Sequence, residues 1–317
     1  MKASRLLYLL PLLVLDLGCG RKASNSIMQF DSVNPFSDGL AAVRIGDAQS
    51  GEYGFIDKTG KLVIDADFPT PSAFSEGLAP MAKDGKYGFI DKSGKWAIQP
   101  TYDAAERFSE GFAAVMVDRK YGFIDKSGAM RIQPLYDMAD RFAEGFAVIR
   151  SGDGFDIKSG YINNTGAIVI QPSFDDAREF SQGLAMVREG DEYSGLCGFI
   201  DKTGKVAIKL QFNDCGSFHD GLAWFRQGDQ NSGKYGFVDT TGAIVIKPEY
   251  DLADNFSDGL GCVKVGDKYG FIDSKGAMVI QPRFTQAYAF SEGFAAVEMD
   301  GKWGFIDTKG NVAITGK

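Results

Sequence analysis

Histidine is nearly absent: His219 is the single one in 317 residues. A Ser-His-Asp arrangement would depend on that residue alone, and no nucleophile motif accompanies it. It stands where six of the other seven copies of a recurring Phe-Ser-Glu-Gly phrase have Ser and one has Ala143, which reads as a substitution at a turn. Cysteine is scarce as well. Beyond Cys19 there are Cys197, Cys215 and Cys262, an odd number without metal-ligand spacing, expected to be buried single thiols rather than a Cys197–Cys215 disulfide. Basic charge is in deficit, with 34 Lys and Arg against 42 Asp and Glu and a net charge of −8. That excludes a broad nucleic-acid or anionic-surface binder. No window carries a 3.6-residue apolar period over three turns, so helix is not expected in the body of the chain.

Glycine, by contrast, is abundant, at 40 residues, and 24 of these fall at three positions of an eightfold repeat. Gly54, Gly88, Gly122, Gly160, Gly198, Gly236, Gly270 and Gly304 each open a near-copy of aromatic-Gly-Phe-Ile-Asp-Lys-Thr/Ser-Gly, at spacings of 34 or 38 residues. Such a period marks solenoids and propellers. A second phrase, Phe-Ser-Glu/Asp-Gly or a close variant, ends 23 residues after each of the first seven of these glycines, and the return distance is 11 or 15. All length variation therefore sits in one loop. A third marker, an aromatic usually followed by Asp, begins at Phe30 and would next fall one position beyond Lys317.

The stretches between markers, such as Leu40–Ile45, Tyr121–Asp125 and Ile168–Gln171, are rich in β-branched and aromatic residues and read as strands. In Asp91-Lys-Ser-Gly94 the carboxylate can accept from amides two residues on, and the glycine can take positive φ, as a three-residue hairpin loop with a bulge requires. Asp84-Gly85 and Asp300-Gly301 signal two-residue hairpins. Phe recurs at 55, 89, 123, 199, 237, 271 and 305, with Tyr161 in the odd copy, and again at 36, 74, 108, 142, 180, 218, 256 and 290. Both slots are expected to fill the layer between neighbouring sheets, because one unit is too small to bury such a ring alone.

These phrases, followed by Val/Ala-Ile-Gln-Pro and Tyr-Asp-x-Ala, resemble the bacterial WG repeat over residues 28–317, although only Trp303-Gly304 is a true Trp-Gly. Tyr takes the Trp place in five copies, Cys197 in one and Ser159 in the fourth, where Asn163 also replaces the Asp. The resemblance implies a propeller-like β repeat with a binding or scaffolding role and carries no catalytic residues. The expected fold is all-β, eight units closed into a propeller-like ring, in which Val312–Ile314 would meet the segment near Phe30; an open superhelical array is the alternative.

Lys2 and Arg5 precede the apolar run Leu6–Leu15, too short to span a bilayer, and Leu17-Gly18-Cys19 resembles a lipobox. Residues 1–19 then read as a lipoprotein-type signal peptide, Cys19 as the lipidated residue and 20–27 as a tether, with Gly20 pointing to the outer membrane of a diderm host. Loss of 1–19 would leave 32 basic and 41 acidic residues, net −9. The 15-residue loops occur in copies one, four, five and six and open with Gly-Asp. Asp47, Asp153, Phe155, Asp191, Tyr193, Asp229 and Asn231 are the candidate binding residues there, since loops on one side of a rigid scaffold carry specificity. One carboxylate per loop falls short of a Ca²⁺ site, so neither metal nor cofactor is expected. The function expected is a non-enzymatic envelope binding or scaffold protein with a protein or glycan partner. The alternative is a glycan hydrolase using carboxylates from different repeats.

Overall fold

The computed structural model describes residue 30 and residues 32–46, 51–70, 72–153 and 156–314. Among them there is no helix, and the strands form eight antiparallel sheets, each a meander of consecutive strands. Seven sheets have four strands; the second has three. Blade five is representative, with strands Asp176–Ala177, Leu184–Glu189, Leu196–Asp201 and Val206–Phe212. Eight blades close into a ring, a β-propeller.

The Trp-Gly glycine is explained by the outer strand. Opposite Tyr121 and Phe123 the ladder jumps from Tyr136 to Ile132, a bulge that pushes Ile-Gln-Pro against Gly122. A Cβ on Gly122 would lie 2.4 Å from the Ile132 carbonyl oxygen, so no side chain fits. At the third-to-outer-strand turn, Asp91 Oδ1 accepts from the amides of Ser93 and Lys95 and from the Ser93 hydroxyl, while Gly94 has a φ of 80°. That is the expected bulged hairpin loop. Asn163 makes the same bonds in blade four, so losing the charge there costs none of the turn's hydrogen bonds.

The second phrase does more than turn the chain. Ser37 and Leu40 exchange two backbone hydrogen bonds across Asp38 (φ 56°) and Gly39 (φ 81°), a two-residue hairpin with both central residues left-handed. The acidic residue then reaches sideways. Asp38, Glu76, Glu110, Glu144, Gln182, Asp220, Asp258 and Glu292 each accept from the phrase glycine amide of the next blade, at 2.6–3.3 Å. The eighth link runs from Gly39 back to Glu292 and completes the circle.

Beneath these links lie eight aromatic pairs between blades. The third-strand ring of one blade meets the phrase ring of the next at 4.7–4.9 Å, as in Phe89–Phe108, Phe123–Phe142 and Tyr161–Phe180. Phe305–Phe36 closes the series at 4.8 Å. Each pair adds about 0.5–1.5 kcal/mol beyond area burial. Phe30 bridges Trp303, so the segment before blade one supplies the aromatic end of the outer strand begun by Val312–Ile314. Both expected aromatic slots are core, and closure occurs where the repeat phase placed it.

The two-residue first strand of blade three, Ala104–Ala105, pairs only with the second strand of its blade. The residues that follow it, Glu106 and Arg107, share one cavity with Asn34 of blade one, Ser72 of blade two and Ser291 of blade eight. Side chains from four blades can meet only inside the ring. The first strand is therefore innermost, and the two residues before each phrase aromatic line a central channel.

Candidate functional site

Two regions differ from blade to blade: the hairpins joining second and third strands on one face, and the channel wall. Asp175 Oδ2 accepts from Gly190 N at 2.8 Å, and Asn213 Oδ1 from Gly228 N at 2.9 Å. Asp175 and Asn213, each following an outer aromatic, thus pin the bases of the long hairpins of blades five and six. Asp191 Oδ1 accepts from Ser194 N at 2.7 Å and Tyr193 N at 2.8 Å, and these amides hold its carboxyl below the usual range. Asp229 is lowered by the Ser232 hydroxyl and by the Ser232 and Asn231 amides. Both carboxylates are thus engaged within their own loops. Tyr193 is 78% exposed at the tip of its loop, and Gln230 Nε2 donates to Glu192 Oε1 at 3.4 Å, linking the loops of blades five and six. In blade four the insertion takes another form, a longer hairpin in which Gly152 faces Ile157 and Asp153 faces Asp156. Asp47, Phe155 and Cys19 lie outside the described residues, as does the side chain of Asp153.

The channel wall was not singled out from the sequence, although it held a signal: the two residues before each phrase aromatic are the ones that fail to repeat. They are Asn34-Pro35, Ser72-Ala73, Glu106-Arg107, Asp140-Arg141, Arg178-Glu179, Gly216-Ser217, Asp254-Asn255 and Tyr288-Ala289. Blades three to five alone contribute six charges. Arg141 pairs with Glu179 at 2.6 Å, and Asp140 with Arg150 at 3.0 Å. Burial, then the neighbouring Asp140, pushes the Glu106 carboxyl up. Burial, then Arg141, pulls the Arg107 guanidinium down. His219 is lowered by burial and faces Glu179, Asp220 and Asp254 as well as Arg141. It lies at the phrase turn, where it exchanges two backbone hydrogen bonds with Leu222, as Ser37, Ser75, Ser109, Ser181 and Ser291 do in their blades.

A second feature follows the long hairpins. The four units that have them carry Arg near the end of the second strand, at 44, 150, 188 and 226, where the others have Ala82, Met116, Lys264 and Glu298. Arg150 reaches Asp176 of the next blade at 3.5 Å, and Arg188, almost wholly buried, reaches Asp214 at 2.6 Å and Asn213 O at 3.1 Å.

One cysteine expectation needs correcting. Cys197 and Cys215 form a disulfide, with Cα atoms 6.3 Å apart, and among the described residues Cys262 is the one free thiol, buried and with its pKa raised by that burial. Cys197 occupies the Trp place of blade five and Cys215 the inner-strand Ala place of blade six. Different places in the repeat look unrelated in sequence, yet ring packing sets the third strand of one blade against the inner strand of the next. The degenerate fourth unit compensates differently: Ser159 is small and its buried hydroxyl has no partner, while Tyr161 donates to Arg178 O across the seam at 2.8 Å.

No group of residues suited to a metal ion occurs among the described residues. Fold and channel define the molecule as an eight-bladed β-propeller with a repeated frame and an unrepeated inner wall, an architecture consistent with binding or scaffolding. The chain belongs to the WG containing repeat family, whose pattern matches residues 28–47, 53–87, 87–121, 121–154, 160–193, 198–230, 235–269, 269–303 and 303–317. No curated protein matches it. Two similar solved structures are of Kluyveromyces lactis Hsv2. The one with loop 6CD replaced by a Gly-Ser linker is 11% identical, with a TM-score of 0.49 over 71% of this chain and 87% of that chain. The one with complete loop 6CD is 12% identical, with a TM-score of 0.43 over 64% and 72%.

Proposed function

We propose that this is a non-enzymatic binding protein of the cell envelope that presents the hairpin face of blades four to six to a protein or glycan partner. The observation that carries the reading is the pre-organisation of that face. Asp191 and Asp229 fix the loop backbones from within, Asp175 and Asn213 fix them from below, and Tyr193 is left projecting. A rigid exposed aromatic is a favourable anchor because little conformational freedom is lost on binding.

An exported location is supported by Lys2, Arg5 and the apolar run before Cys19, which we take as the lipidated residue of an outer-membrane protein. The Cys197–Cys215 disulfide fits an oxidising compartment. Removing the four-residue insertions of units four to six should abolish capture of envelope partners; capture at the level of the intact protein would refute the reading. Tyr193→Ala alone should weaken it about tenfold. Glu106 supports a second reading. Its carboxyl, accessible from the channel, is raised by partial desolvation against the wall and then by Asp140 of the adjacent blade, a pairing a glycan hydrolase could use as acid and carboxylate. Glycan cleavage lost in Glu106→Gln would establish it; no cleavage by the intact chain would dismiss it.

A further inference from the structure

Among the described residues blade two has no inner strand, and two prolines account for its loss. In blades three to eight the residue after the outer aromatic donates its amide to the second strand: Asp103 to Met116 O, Asp137 to Arg150 O, Asp175 to Arg188 O, Asn213 to Arg226 O, Asp251 to Lys264 O and Thr285 to Glu298 O. Blade two has Pro69 there, with no N–H to give. Pro80 removes a second donor, since its counterpart Ala114 lies where the inner and second strands of blade three exchange hydrogen bonds, Glu106 N donating to Ala114 O. The sheet is left with Leu78–Lys83, Lys86–Asp91 and Trp96–Tyr102.

Where that strand is missing, the channel widens into a cavity of about 560 Å³. Asn34, Thr70 and Ser72 offer neutral hydrogen-bonding groups, while Tyr87 and Pro80 supply flat apolar walls. Arg107 reaches it from blade three. Unlike Arg141, which Glu179 neutralises at 2.6 Å, Arg107 has no carboxylate within ion-pairing distance among the described residues. A half-buried guanidinium without a paired anion favours an anion supplied from outside. Glu106 sits beside it in the same wall. One guanidinium flanked by a carboxylate suits a planar monoanion and disfavours a phosphate dianion.

We infer that the widened channel at blade two is a binding site for a small carboxylate-bearing sugar, a uronic acid or a residue like it. Arg107 pairs with the carboxylate, Asn34, Thr70 and Ser72 meet the hydroxyls, and the sugar ring lies against Tyr87 and Pro80. This rests on the binding-protein reading and gives it a glycan class. The site is separate from the hairpin face, so partner capture by the loops and ligand binding in the channel fail independently.

Titration calorimetry of the full-length chain with glucuronic acid, glucose and N-acetylglutamate tests it. Glucuronic acid should bind, with glucose and N-acetylglutamate each at least about tenfold weaker. Arg107→Gln should weaken glucuronic acid about tenfold or more, and Arg107→Lys by less. Ser72→Phe, which fills the cavity from the opposite wall, should abolish binding and keeps the test open if the Arg107 variants do not fold. Equal binding of glucose, or no effect of Arg107→Gln on a folded protein, would overturn the role of the guanidinium. N-acetylglutamate binding as tightly as glucuronic acid would overturn the sugar assignment, and absence of binding at millimolar concentration would overturn the site.

Discussion

Among the described residues blade two has no inner strand, whereas at the seam between blades five and six the inner strand of the one is tied covalently to the third strand of the other, so both changes involve an inner strand. At blade two the outer connections are nevertheless unaltered: Phe55 meets Phe74, Phe89 meets Phe108, and Glu76 holds the Gly111 amide. At the five–six seam the same connections are present, and Cys197–Cys215 and Arg188–Asp214 are added to them. The ring is thus held by the aromatic pairs and the side-chain-to-glycine links. The inner strand is free to be dropped or reinforced, which is why variation in sequence concentrates there.

The contrast can be broken first at its stronger side. Replacing both Cys197 and Cys215 by Ala removes a bridge between residues 18 apart and should cost about 3 kcal/mol in urea-induced unfolding. A loss under about 1 kcal/mol would mean that the seam is already held without it. Arg188→Met strips Asp214 of its buried partner. Because Asp214 is partly exposed, the expected loss is about 2 kcal/mol rather than the larger cost of a fully buried pair. Thermal melts of the variant against Arg150→Met would separate this seam from the next.

The weaker side can be repaired. Pro69→Asp combined with Pro80→Ala restores donors to blade two and should add about 1 kcal/mol, with a newly protected amide at residue 69 in hydrogen exchange. The smallest effect concerns the shared turns. The Ser127 hydroxyl, then Arg131 and the turn amides, hold the Asp125 carboxyl at about 2. Its folded pKa is depressed, so its contribution is complete above the unfolded carboxylate range near pH ~4 and fades as pH falls towards 2. Asp125→Asn, which copies the uncharged turn of blade four, should therefore reduce the loss of melting temperature between pH 5 and pH 2.

Phase and chemistry of the repeat made the all-β character, eight units, both hairpin types and the closure near Phe30 readable in advance, because each depends on local spacing or on residues with few conformational options. Blade-to-blade geometry was less accessible. The phrase glutamates looked like turn residues, and nothing local says that a left-handed Glu76 will reach Gly111 of another sheet. Cys197 and Cys215 occupy different repeat positions that only the ring brings together. The channel pairs went unnoticed because the eye follows what recurs, whereas Glu106-Arg107 and Asp140-Arg141 matter by not recurring. Pro69 and Pro80 were visible throughout, but their effect needed the donor pattern of the other blades.

The circle of links from Asp38 to Glu292 also bears on how the molecule comes apart. A linear stack has terminal units with one neighbour, and these fray before the interior does. Here every blade has two neighbours, so releasing any one of them breaks two aromatic pairs and two side-chain-to-amide links at once. Partial opening is therefore costly everywhere around the circumference. The easiest departure is at the composite outer strand where Phe30 meets Trp303, and once that clasp lets go the remaining blades become an open stack with ends, prone to unravel in sequence.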